Sequence, residues 1–472
     1  MRTNVDRPSP SRRDDVPRNS SRSALLAALL LVATAPGAAT AEDQPDDSAP
    51  DPAFSLSFGV EAAIGGFSTD GANFGAGRVD LRDGEVSGDP TWGEGYIKPW
   101  IDAEYRIEGA GLLYGGLSAV AAGTVGDGDP GGYTRDGDGS VDLETAFLGW
   151  RSGGLLEGSL GEDALDLSYG RQEFQVGDGF LILDGNSEQA DDGAYWLAPR
   201  RAFQQAGLIR LNTHPLRADL FYLKADRDQD HTELAGLNLE YIDAELGTFS
   251  LMYFRVVDSE TPNNAGARDG MDVVSLRVNE LRLKALPDLS LWGEYVTERG
   301  GGRDGDFDAS GWYLEAQYSL SALPWSPTLG YRYSRFSGDS DPDDAVRRDF
   351  EPFFYGWSRG WGTWIQGEVV GEHLLFNSNQ ATHMVQLSAR PSESVEVGVL
   401  GFRFSLEEKN YYGTPVSDRH FADELNLYLD WELSEQLTLS AAYGIAFPGK
   451  AAEELFGDKN FQLVELSLSL SF

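Results

Sequence analysis

The charged side chains that recur at every second position are where this sequence could do chemistry. Read on a period of two, Lys98, Arg106, Arg210, Arg277, Arg332 and Arg390 fall on the same polar rows as Asp102, Glu104, Glu240, Glu294, Glu315, Glu424 and Asp430. Facing one water-filled space, such rows make a transverse field that sorts solutes by charge without making or breaking a bond. The plainer reading is a ladder of cross-strand salt bridges that only stiffens a wall. Covalent chemistry has little support. His214, His231, His373, His383 and His420 lack the spacing of a metalloprotease motif. Cysteine is absent, which removes thiol nucleophiles and disulfides and leaves zinc without its usual ligands. Serines are numerous enough to leave a Ser–His hydrolase pair open, but His383, at the outer end of a predicted strand, reads as a plain wall residue. The expectation is a protein that is not an enzyme and that holds no cofactor and no metal.

Rows of this kind need antiparallel strands to position them. The last stretch, Phe461 to Phe472, sets the pattern: Val464, Leu466, Leu468, Leu470 and Phe472 on one side, Glu465, Ser467, Ser469 and Ser471 on the other. Leu425, Leu427, Leu429 and Trp431 against Glu424, Asn426, Asp430 and Glu432 repeat it. An apolar row facing lipid and a polar row facing a lumen is the signature of a transmembrane β-barrel. Segments of this type begin at Phe54 and recur to the C-terminus, divided by turn residues. Every second connection is short, as in Gly109–Gly111, Thr213–Pro215, Ala244–Gly247 and Ser434–Gln436. The longer 151–164 is the exception. Counting Trp364–Phe376 as a crossing would put the terminal Phe on the wrong side. Residues 337–381 are therefore one long outer loop, folded into the mouth or bore as a constriction or gate. The expected fold is an all-β antiparallel barrel of 18 strands with both ends of residues 53–472 on the short-turn side. Trp92, Tyr96, Trp100, Trp150, Tyr195, Trp196, Trp312, Trp325, Trp431 and Tyr443 are expected in girdles at the membrane interfaces.

Residues 1–41 read as a secretion signal: arginines, an apolar core from Ala24 to Ala33, then Ala39-Thr40-Ala41. Residues 42–52 read as a Pro/Asp-rich linker. No apolar run after residue 41 is long enough for a membrane helix. The mean hydropathy of −0.34 hides the apolar rows, because half of each strand faces water. Net charge is −39, and about −42 once the six arginines and three aspartates of residues 1–41 are set aside. That argues against nucleic-acid partners. Much of the acid sits in hydrophilic runs such as 126–139 and 337–349, which read as solvated loops. Asp136, Asp138 and Ser140 begin like a calcium loop, but Val141 and Phe147 stand where Gly and Glu are required.

Several passages resemble the alginate-export family of outer-membrane porins: 113–132, Glu144 through Gly153, LSYGRQEFQVGDGFLILDG at 167–185, Pro199 to Phe203, and FFYGWSRGWGTWIQGEVVGEHLLFNSN at 353–379. The resemblance implies a monomeric channel in the outer membrane that passes an anionic polysaccharide or oligouronate by diffusion through a basic, gated constriction. It adds Arg171, in the Gly-Arg-Gln passage, to the basic candidates for uronate contact, since a guanidinium grips a carboxylate through two N–H groups. It assigns gating to 337–381 and 151–164, and the implied partners are outer-membrane lipid and periplasmic export machinery. The heavy acidity departs from a basic conduit and leaves open a general or differently selective porin for small solutes, or an adhesive barrel displaying acidic loops.

Overall fold

The computed structural model describes residues 53–472, apart from 187–189, 227–230, 260–267, 303–304, 342, 357–358 and 362–365. The proposed signal and linker lie outside the described residues. Eighteen strands form the wall: β1 Phe54–Asp70, β2 Thr91–Ile107, β3 Gly111–Gly126, β4 Gly139–Arg151, β5 Leu165–Gln172 and β6 Phe203–Asn212. They continue as β7 Leu216–Lys224, β8 Glu233–Asp243, β9 Gly247–Asp258, β10 Asp272–Leu283, β11 Leu286–Gly302 and β12 Gly305–Ser319. The last six are β13 Thr328–Phe336, β14 Gln380–Ser392, β15 Val395–Leu406, β16 His420–Ser434, β17 Leu437–Pro448 and β18 Phe461–Ser471. Each pairs antiparallel with its neighbour in sequence, and β18 pairs back onto β1 from Glu61↔Ser471 to Asp70↔Gln462. Closure leaves no open edge, the condition for a sheet in lipid. Phe472 seals the seam: its N–H donates to the Val60 carbonyl at 3.0 Å, and its carbonyl accepts from Val60 at 2.8 Å.

The period-two pattern does what it predicts. Leu425, Leu427, Val464 and Leu466 are exposed on the outer surface, while Glu424, Asn426 and Leu463 are buried. No helix among the described residues is long and apolar enough to cross a membrane. Short turns join the strands at one end, apart from 152–164 between β4 and β5; this is the periplasmic end in such barrels. Gly111 opens the second strand of one of them at φ 91°, where a Cβ would sit 2.2 Å from the Arg151 carbonyl oxygen. The opposite end carries the long connections, with one departure: β11 and β12 stay paired as far as Gly302↔Gly305.

Aromatic placement corrects the girdle expectation. Trp325 and Trp431 are exposed on the outside. Trp92, however, is 3% exposed and stacks on Phe67, with ring centroids 4.8 Å apart, on the lumen side. Trp100 also faces inward, against Gly59. Tyr195 and Trp196 lie on a connection inside the barrel, with Trp196 against His373. Proximity to a strand end does not say which face a ring takes; only the register does.

Candidate functional site

Two outer connections enter the bore, 173–202 between β5 and β6 and 337–379 between β13 and β14. Their apolar runs explain why. Phe180, Ile182, Phe350, Phe353 and Phe354 are almost fully buried against lumen-facing Phe221 and Phe254, and each such side chain contributes roughly 1.5–3 kcal/mol by leaving water. The two connections bond to each other: the N–H of Leu183 donates to the Phe354 carbonyl at 2.7 Å, and that of Phe354 to the Leu181 carbonyl at 2.8 Å. A second cluster seats Val369, Val370 and Leu374 against Phe402 and Phe461.

A backbone entering the bore brings N–H groups that have no ladder partner. Wall carboxylates take them. Glu94 on β2 accepts from Trp196 (2.9 Å) and Leu197 (3.2 Å). Glu144 on β4 accepts from Arg201 (2.7 Å) and Ala202 (2.9 Å). Glu298 on β11 accepts from Glu351 at 3.0 Å. Glu424 on β16 accepts from Val369 (3.0 Å) and Val370 (2.8 Å) at the start of the short helical segment Gly367–Gly371. Arg359 adds a side-chain clamp, donating to Glu315 through both terminal nitrogens (3.0 and 2.8 Å) and through Nε to Asp178 (3.0 Å).

Two cavities lie along this arrangement. The outer one, of about 1080 Å³, is lined by rings that include Tyr133, Tyr195, Trp196, Tyr355, Trp361 and Tyr411. Its ionisable lining holds six carboxyl groups, Asp184, Asp349, Glu351, Glu368, Glu372 and Glu465, against two guanidinium groups, Arg201 and Arg347. The inner one, of about 340 Å³, holds Arg332, Arg359 and Arg390 with Glu315 and Glu396. Trp361 lines both, donates to Asp430 at 2.6 Å and stacks on Tyr428 at 5.1 Å. Burial pushes the Asp184 carboxyl up to about 7. Burial first, then the Glu465 carboxylate, pushes Glu368 and Glu372 well above the ordinary carboxylate range. His373, packed on Trp196 at 4.6 Å, is held down to about 3 by burial alone.

The seven basic side chains singled out from sequence do not converge on one waist. Arg332 and Arg390 share the inner cavity; Arg332 is 1% exposed and sits 3.6 Å from Glu315, and Arg390 meets Glu396 at 2.9 Å near the periplasmic end. Arg277, 2% exposed, is held by Glu240 at 2.8 Å. Lys98 bridges to Glu61 at 2.7 Å. Arg210 lies 3.9 Å from Asp166 and over the Phe174 ring. Arg106 is exposed at the periplasmic end of β2. A register shift between Gly170 and Gln172 turns Arg171 to Asp226 (2.5 Å) and to the Glu144 carbonyl (2.9 Å). Lys98, Arg171, Arg210, Arg277, Arg332 and Arg390 thus each stand within ion-pair distance of a carboxylate. Of the acids on the same polar rows, Glu240, Glu315, Glu424 and Asp430 have these pairing or anchoring roles, and Glu294 accepts from Ser275 at 2.5 Å. Asp138, from the imperfect calcium loop, is taken by Arg82 and by the Arg135 N–H.

Pattern reading missed Arg201, a guanidinium on the outer-cavity wall with no ion-pair partner among the described residues. Its signal was the Pro-Arg-Arg-Ala-Phe passage, which stands outside any alternating segment.

The profile of a family described as alginate export matches residues 127–459. Among solved structures, the chain is similar to Acinetobacter baumannii OccAB2 at 11% identity, covering 88% of this chain and 98% of that one with a TM-score of 0.55. It is similar to Pseudomonas aeruginosa OccK11 (OpdR) at 13% identity, covering 88% and 96%, TM-score 0.53. P. aeruginosa OccK5 (OpdH) is similar at 10% identity, covering 88% and 98%, TM-score 0.54. Curated protein sequences offer no match to this chain.

Proposed function

This chain belongs to the alginate-export family, and on that footing we propose that its outer-membrane channel passes a carbohydrate, short and hydroxyl-rich, through the space between the two inward connections. One observation carries the reading: the outer cavity interleaves flat aromatic rings with carboxyl groups. The apolar face of a pyranose lies on such a ring, and carboxyl oxygens accept from its hydroxyls. Six carboxyl groups stand against two guanidinium groups, and burial pushes Asp184 toward the neutral form. Such a lining bonds hydroxyls and does not attract a polyanion. Trp361, common to both cavities, is the place where the solute would pass from one to the other.

A second reading, oligouronate passage, is favoured by Arg201 and by the three arginines of the inner cavity. Planar-bilayer recording separates the two. Neutral oligosaccharides should block the open channel at concentrations at which oligouronates of equal length do not, and Trp361→Ala should weaken that block. Block by oligouronates alone would replace the first reading with the second; block by neither would leave a channel for other small solutes.

A further inference from the structure

One group of charges in the bore belongs neither to the ion-pair ladder nor to the loop anchors. Glu368 and Glu372, one helical turn apart on the inward segment, and Glu465 on β18 bring carboxylate oxygens within 4.8 Å of one another. They come from opposite sides of a junction, the loop on one hand and the last strand of the wall on the other. Glu368 is 2% exposed, and no donor among the described residues reaches its carboxylate. The Oε2 of Glu372 is also buried without a partner. The charged groups acting most strongly on this pair are all acidic: Glu465, Glu424 and Asp430 on Glu368, and Glu465, Glu368, Glu424 and Glu94 on Glu372. Glu424 uses its oxygens on the Val369 and Val370 N–H groups and on Asn426. The three remaining carboxylates are left facing each other.

We propose that Glu368, Glu372 and Glu465 bind a divalent cation of the calcium type, which ties the inward segment to the closing strand of the barrel. All three donors are hard carboxylate oxygens. Two oxygens bound to one calcium at roughly 2.3–2.6 Å can stand up to about 5 Å apart, which matches the observed spread. Magnesium, with shorter bonds and a stricter octahedron, fits that spread less well. All three residues line the outer cavity, which gives the ion an entry path and room for the waters that complete its shell. The inference does not depend on which solute the channel passes.

Terbium luminescence on the refolded, chelator-treated protein in detergent tests this, because Trp196 and Trp361 line the same cavity and can sensitise a bound lanthanide. A single saturable terbium signal, displaced by calcium at lower concentration than by magnesium, is the expected result. Glu368→Gln, Glu372→Gln and Glu465→Gln should each weaken calcium displacement by about tenfold or more. An Asp341→Asn/Asp343→Asn control in the exposed outer loop should leave it unchanged. Absence of a calcium-displaceable site in the native chain overturns the proposal and leaves three carboxyls sharing protons. So does a site weakened by the outer-loop control and untouched by the glutamine variants. If a variant loses the heat-modifiable gel mobility of a folded barrel, the titration of the native chain still decides.

Discussion

Arg359 ties segment 337–379 to wall residue Glu315 and to Asp178 on the other inward connection. Its guanidinium serves two acids at once, and the carboxylates of Glu315 and Asp178 are each 2% exposed while Arg359 itself is 20% exposed. It also lies over Trp292, 5.0 Å from the ring centroid. In Arg359→Ala, Glu315 keeps the Gln317 amide at 2.7 Å and the more distant Arg332 at 3.6 Å, and Asp178 keeps the Tyr313 hydroxyl at 2.8 Å. Removing one partner of a fully buried pair costs about 3–5 kcal/mol. Partial access of water to Arg359 and the surviving contacts reduce this to about 2–3 kcal/mol. At about 1.4 kcal/mol per factor of ten, the balance between docked and undocked loop then moves by roughly 30- to 150-fold. A loop undocked about 0.1% of the time in the native channel would be undocked for roughly 3–13% of the time in the variant. Single-channel recording reads this as more frequent full openings. Arg359→Lys should fall between, since an ammonium cannot fork across both Glu315 oxygens. Opening frequency and conductance within about twofold of the native channel, in a correctly folded Arg359→Ala barrel, would refute the assignment of this segment as a docked gate.

Other substitutions divide wall from lining. Arg277→Ala leaves Glu240 without its buried partner and should lower stability toward urea by about 3 kcal/mol. Arg201→Ala should change stability by less than about 0.5 kcal/mol yet move the reversal potential toward cations; equal destabilisation by both would contradict the division. Leu466→Arg, on the exposed outer row at the middle of β18, should cost about 2–4 kcal/mol on folding into vesicles, while Ser467→Arg on the cavity side should cost little. If the two cost the same, the facing of β18 is wrong. In the outer loops, burial pushes the Asp80 carboxyl up, but hydrogen bonds from Arg135, the Arg82 N–H and Arg78 outweigh it and hold it at about 2. Because the folded value is depressed, this stabilisation is complete above the ordinary carboxylate range and is lost as pH falls through about 2. Asp80→Asn should therefore reduce hydrogen-exchange protection of 129–138 by up to about 2–3 kcal/mol at pH 7 and by less than about 1 kcal/mol at about pH 2.5. A pH-independent difference would mean that Asp80 acts through shape and not charge.

The wall was legible because lipid imposes one strict rule on it. Leu425/Leu427/Leu429 against Glu424/Asn426 can be sorted by counting, and the short turns fix the parity of the crossings. What filled the bore was legible only in part: the parity of the crossings placed 337–381 in the mouth or bore, but not its contacts or its partner 173–202. Phe180 to Leu183 and Phe353 to Tyr355 are short aromatic and aliphatic runs with no period, and nothing in them distinguishes a loop tip from a plug. Trp92 and Trp196 misled for a related reason, since an aromatic ring suits a lipid interface and a packed lumen equally well. The partners of the arginines depend on register between strands: Arg277 meets Glu240 across an intervening strand, and Arg359 reaches Asp178 from 181 residues away. The grouping of Glu465 with Glu368 and Glu372 has the same origin.

The anchoring of the loops also changes what lumen charge means. A backbone segment drawn into the bore must hand its N–H groups to water or to the wall, and here the wall answers with Glu94, Glu144, Glu298 and Glu424. Those acids would be needed whatever solute the channel carried. Reading selectivity from the sum of inward charges therefore mixes two populations, one that holds the plug in place and one that meets the solute. Only the second bears on transport. In the outer cavity it comes down to Arg201 and Arg347, a few carboxyl groups and the rings beside them. An acidic lumen row and passage of a uronate are compatible in principle. What decides between them is whether the guanidinium of Arg201 or the carboxyl-and-aromatic face opposite makes the tighter contact with the solute.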